Sequence, residues 1–148
     1  MRRFFAVPEH STSADVALLL LRLVAGLAFA LHGWPKIQNA FGWMGPDATI
    51  PGFLQGLAAL SEFGGGIAWI LGLLTPLAAL GILSTMVVAA SLHAFVFKDP
   101  FVASGPGQGS YELALVYLCV ALVLITLGPG RFSLDRTLFG RRGDERRL

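Results

Sequence analysis

The chain has 148 residues, of which 55% are hydrophobic and 14% charged, with a formal net charge of +2 and one cysteine; its mean hydropathy is +0.69. Those values lie far from the habits of a soluble domain and point to an integral membrane protein. Cys119 stands alone in an apolar stretch, which excludes an internal disulfide framework and a CxxC redox pair. Of the 11 Lys and Arg, eight lie at the two ends, so the basic balance reflects membrane topology and not nucleic-acid binding.

Arg2-Arg3-Phe4-Phe5 superficially resembles a twin-arginine signal, with Ala28-Phe29-Ala30 as a cleavage site. Arg22 interrupts the signal core and further apolar stretches follow, so retention as a first transmembrane helix is the better reading. Four stretches qualify: Val16 to Trp34, Phe53 to Leu74, Leu77 to Phe97 and Tyr111 to Leu127. Each is near the length that ~30 Å of hydrocarbon requires, the fourth being the shortest. Ser13 and Asp15 precede the first, Pro76 follows the second, Ser110 precedes the fourth and Gly128-Pro129-Gly130 closes it. The expectation is an all-α, four-helix integral membrane bundle with short loops, forming a single domain over 1–148.

The two termini hold eight basic residues, whereas the first and third loops hold only Lys36 and Lys98 and the Thr75-Pro76 turn holds none. By the positive-inside rule both termini are expected to be cytoplasmic.

In the first span, Arg22, Gly26, Gly33 and Lys36 fall within roughly 80° of one another on a helical wheel, with His32 at the edge. In the second, Gly65, Gly66, Trp69 and Leu73 fall within roughly 60° of Glu62, which makes one stripe of acid, small residues and an aromatic. Small residues let helices approach closely in lipid. A carboxylate near mid-bilayer costs roughly 2.5 to 3.5 kcal/mol even on the lenient insertion scale, so Glu62 needs a partner. Counting ~1.5 Å per residue from opposite surfaces leaves only ~5 Å of depth between Arg22 and Glu62, and a buried Arg22–Glu62 ion pair is the expectation. Arg22 snorkelling alone to the headgroups is the plainer alternative.

His93 lies near the end of the third span, followed by Lys98 as His32 is followed by Lys36. Histidines on separate helices can ligate a haem or hydrogen-bond a quinone carbonyl. No further haem signal appears and no metal site is expected; interfacial placement is the plainer reading of both histidines. Tyr111 and Glu112 open the fourth span behind Ser110, where a carboxylate is favoured by the helix dipole whatever its role. His32, Lys36, His93, Tyr111 and Glu112 share one depth, which makes them the candidate outer polar site for a small molecule. Arg131 to Gly140, capped by Ser133, reads as a short amphipathic helix on the anionic leaflet, and the basic tail spans 131–148.

The residues Arg22-Leu23 with Gly26, His32-Gly33 with Lys36, Glu62 with Gly65, and Leu71-Gly72-Leu73-Leu74-Thr75 carry a family resemblance. Ala89 with His93, Tyr111-Glu112-Leu113-Ala114 and Gly128-Pro129-Gly130-Arg131 with Ser133-Leu134-Asp135 extend it over roughly Val16 to Phe139. The chain resembles the DoxX family of small four-helix membrane proteins, whose namesakes resemble or accompany the small subunit of thiosulfate:quinone oxidoreductase. The resemblance implies a quinone-linked redox role in a bacterial cytoplasmic (inner) membrane. The residues themselves supply no electron carrier, no dinucleotide loop and no self-contained catalytic motif. Three readings follow. The first is an accessory, quinone-interacting subunit of a membrane oxidoreductase; the second is a non-catalytic scaffold or assembly subunit; the third is a small-solute or proton transporter. Expected partners are the lipid bilayer and other membrane subunits or a second copy of the chain.

Overall fold

The computed structural model describes residues 2–140, with side chains from Phe4 onward. The expected basic tail from Arg141 on lies outside the described residues. Among those described, the architecture is helical. A short α1 (Arg2–Phe5) precedes α2 (Thr12–Gln38), α3 (Gly52–Leu71), α4 (Thr75–Ser91), α5 (Glu112–Leu127) and a terminal α6 (Leu134–Phe139). A single π-helical turn, Leu92–Val96, continues α4. Helices α2, α3 and α4 with its π-turn are long and apolar enough to cross a membrane, while α5 is apolar and shorter.

The first helix starts earlier than expected because Ser11 caps it, accepting from the Ala14 N–H at 3.3 Å. It also outruns Trp34, passing through Pro35 to Gln38. Pro35 removes one backbone donor from the ladder within the last turn of this helix. The second helix ends three residues sooner than expected. Gly72 adopts the left-handed conformation (φ 63°), and Leu73 N–H and Gly72 N–H return to the carbonyls of Ala68 and Trp69 at 2.9 and 3.1 Å. That is a Schellman closure, so Leu73 leaves the Glu62 stripe, and Pro76 lies in the first turn of α4 instead of ending α3.

Packing follows the small residues. A Cβ on Gly26 would come within 2.7 Å of the Gly66 carbonyl, and one on Gly33 would overlap the Phe63 backbone, so α2 and α3 cross in near contact. Gly65 meets Ile82 of α4. Phe29 centres the core, edge-on to Trp69 at 5.5 Å and against Tyr117 of α5 at 4.7 Å. Outward-facing Leu20, Val24, Leu27 and Leu31 are exposed on α2, as a lipid-facing surface requires.

At the end of the bundle where the termini meet, α6 is docked as well as amphipathic. Leu134 and Leu138 stay exposed, while Asp135 is fully buried and accepts from Leu74 and Thr75 N–H at 2.6 and 2.8 Å. Asp135 thus caps α4 from a distant segment, and its own N–H donates to Gly72 O at 2.8 Å. Asp15 does similar work on Arg131, accepting from its backbone N–H at 2.9 Å and facing its Nε at 3.5 Å.

Candidate functional site

The α2–α3 crossing fixes which charges meet. With Gly26 on Gly66 and Gly33 on Phe63, Arg22 comes level with Trp69 and Lys36 with Glu62. The expected Arg22–Glu62 pair is therefore corrected. Lys36 Nζ donates to Glu62 Oε1 and Oε2 at 2.6 and 2.7 Å. Arg22 instead donates through Nη1 to Trp69 O at 3.0 Å and through Nη2 to Phe132 O at 2.5 Å. Trp69 O lies in the last turn of α3, where carbonyls carry partial negative charge, and Phe132 O lies in the loop before α6, so the buried guanidinium finds main-chain acceptors from two separate segments. Depth counting failed because it treated the spans as independent rods. The register is set by the glycine contacts, and α2 extends far enough for Lys36 to reach back along it.

The Lys36–Glu62 pair lies at one wall of a cavity of about 680 Å³. Glu62 is almost wholly buried, with its side chain 4% exposed, against 24% for Lys36. The ammonium also lies 4.5 Å from the Trp43 ring centroid, a cation–π contact that holds it beside the 43–50 segment. The 43–50 segment roofs the cavity and is pinned at both ends to Gln55: Met44 N–H donates to Gln55 Oε1 at 3.1 Å, and Gln55 Nε2 donates to Ile50 O at 2.8 Å. Trp43 Nε1 adds a bond to Gln55 O at 3.0 Å. The walls come from α3 and α4, where Ser84 and Thr85 hydroxyls donate to their own helix at Leu80 O and Gly81 O. Ser61 Oγ has no hydrogen bond among the described residues and lines the same cavity. A cation, a carboxylate and a hydroxyl thus face a largely apolar space, so it can accept a polar head carrying oxygen atoms and an apolar body. No cluster suited to a metal ion occurs among the described residues.

The five residues expected to share a site occupy four places. Only Lys36 lines the cavity. His32 is exposed on α2 and makes no hydrogen bond among the described residues. His93, in the π-turn next to cavity-lining Leu92, meets Asp99 through Nδ1 to Oδ2 at 2.7 Å, and its ring edge faces Phe97. Tyr111 packs on Phe101 at 5.4 Å, while Glu112 borders a shallow groove of about 370 Å³ along α5. Equal depth put these groups at one end of the bundle; their azimuth around it separates them. Trp43, Gln55 and Ser61 were missed. Gln55 carried a legible signal, lying seven residues before Glu62 and hence on the same helical face. Trp43 carried none, because its position depends on how the loop folds back.

Residues 17–98 match the profile of the DoxX family, a stretch that runs from within the first turns of α2 through the π-turn and holds all the cavity-lining residues. The chain is 35% identical over 126 residues to the Inner membrane protein YqjF of Escherichia coli K12, covering 84% of this chain and 93% of that one. The Inner membrane protein YphA of the same organism is 29% identical, with 86% and 94% covered. A Bacillus subtilis protein named "Putative oxidoreductase CatD" is 27% identical, with 86% and 90% covered. No solved structure gives a significant match. By its profile, its relatives and its apolar helices, the chain belongs to the DoxX family and is a multi-pass bacterial inner-membrane protein.

Proposed function

We propose that this protein is an accessory subunit of a membrane oxidoreductase complex that holds a quinone headgroup against Lys36 and Glu62. The observation that carries the reading is the Lys36–Glu62 pair facing a largely apolar cavity of about 680 Å³ beneath a pinned roof. A volume in this range suits a ring-sized headgroup, since ligand pockets run from roughly 300 to 1,000 Å³. The name of CatD points the same way for that relative. A quinone supplies two-electron, two-proton carrier chemistry when bound. This chain's own residues divide the remaining work. Lys36 Nζ donates to a headgroup oxygen, Glu62 holds or gives up a proton beside it, and the Trp43 ring covers one face. With both termini on the cytoplasmic side, as the positive-inside count proposes, the cavity lies in the outer half of the membrane.

The test is mass spectrometry of organic extracts from gently solubilised protein. Native protein should retain quinone, and Lys36→Met and Trp43→Ala, each confirmed as folded by size exclusion, should lose it. His32→Ala, exposed and away from the cavity, should retain it. Quinone present in native protein and unchanged in Lys36→Met would refute the site, and lipid alone in every sample would favour a scaffold subunit.

A further inference from the structure

The cavity's surroundings differ sharply on its several sides. Above it, Gln55 is 3% exposed and ties Met44 and Ile50 to α3, so the roof is stapled by side-chain bonds instead of hanging loose. Below it, α3 and α4 close on one another: a Cβ on Gly81 would come within 2.9 Å of Ser61 Oγ, and one on Gly65 within 3.1 Å of Ile82. Behind it stand Lys36 and Glu62. The wall residues open to the surroundings include Leu54 and Leu57 on α3 and Ser84 and Val88 on α4, with Leu54, Leu57 and Val88 between 45% and 51% exposed. Those positions belong to the faces that a bilayer covers. Beyond Ser91 the π-turn takes over from α4, and π-helical turns recur at functional sites.

Resting on the quinone reading above, we infer that the ligand enters sideways from the bilayer between α3 and α4 and is long-tailed: its head meets Lys36 and Glu62 while its isoprenoid tail lies between Leu57 and Val88. Each buried methylene of such a tail adds apolar burial, so tail and head contribute separately. The groove needs no moving lid, because its open side already faces hydrocarbon.

The experiment uses the full chain in vesicles loaded with a long-chain ubiquinone, compared in parallel with a tail-less benzoquinone bearing the same ring. Ser84→Trp fills the groove from the lipid side. Leu80→Trp, one helical turn earlier on α4 and 42% exposed but outside the cavity wall, is the control. Ser84→Trp should retain about tenfold less long-chain quinone than native protein, with tail-less binding within about twofold and Leu80→Trp unchanged on both counts. Preserved tail-less binding also shows that the variant is folded. Undiminished long-chain retention in Ser84→Trp overturns sideways entry and leaves the headgroup reading standing. Loss of both quinones in Ser84→Trp overturns the separate place for the tail. Native protein that binds neither quinone, or yields only phospholipid, removes the headgroup reading and this inference with it.

Discussion

The two ends of the bundle carry the same kinds of charge and treat them in opposite ways. Where the termini meet, Arg22, Asp135 and Asp15 are buried and bond to backbone groups: Arg22 to two carbonyls, Asp135 to two amides, Asp15 to one. At the loop end, Lys36 and Glu62 bond to each other and face open volume. A charge committed to rigid main-chain partners closes a structure. A charge paired with another flexible side chain can exchange that partner for a ligand at modest cost, because neither group is left unsatisfied. The terminal end is therefore built as a clasp, and the loop end leaves its charges facing a cavity, where the proposed site lies.

The contrast breaks most decisively at Arg22. Arg22→Leu removes the guanidinium that bridges the Trp69 and Phe132 carbonyls, leaving Phe132 O without its donor and buried Asp135 without a neighbouring cation, and should cost about 3–5 kcal/mol, the range for breaking a buried charged network. Fluorescence-detected size exclusion after a temperature ramp would show it as lost monodisperse protein; a stable, well-behaved variant would mean the terminal end is not a clasp. Lys36→Met should be milder, about 2–3 kcal/mol, since the Lys36 side chain is 24% exposed and Glu62 faces a cavity instead of closed packing. If Lys36→Met instead equals Arg22→Leu in thermal stability, both ends are structural and the distinction collapses. Asp135→Ala removes a remote cap from α4 and should cost about 1–2 kcal/mol, read as a lower midpoint in the same ramp with cavity ligand retention intact. Gln55→Leu releases the roof and should cost about 1 kcal/mol while raising hydrogen exchange at 43–50 well above that in α3. Equal protection before and after would show that the roof is held by something other than Gln55.

Some of this was legible residue by residue. The stripe Glu62, Gly65, Gly66 and Trp69 follows from helical periodicity, and all four are buried in the bundle. Arg22, Gly26 and Gly33 likewise turn inward, with Gly26 and Gly33 against α3. The need of Glu62 for a basic partner was also legible, because an intramembrane carboxylate demands one. The identity of that partner was not. Arg22 and Lys36 stand on the same face of the same helix, and choosing between them requires the sliding register of α2 on α3. That register depends on which glycine meets which backbone, a pairwise property of two helices that neither sequence segment carries alone.

Taken by itself, the sequence determined the membrane class, the number and approximate limits of the apolar helices, the inward faces and the requirement that Glu62 be paired, because hydropathy and the 3.6-residue period are local properties. Only the tertiary structure decided that Lys36 is the partner, that Arg22 and Asp135 close the opposite end, that Trp43 and Gln55 form a roof, and that His93, Tyr111 and Glu112 stand apart from the cavity. Each of those outcomes depends on rotation and sliding between elements distant in the chain, and helices packed by small residues and hydrogen bonds in lipid fix such geometry through contacts that no single helix encodes.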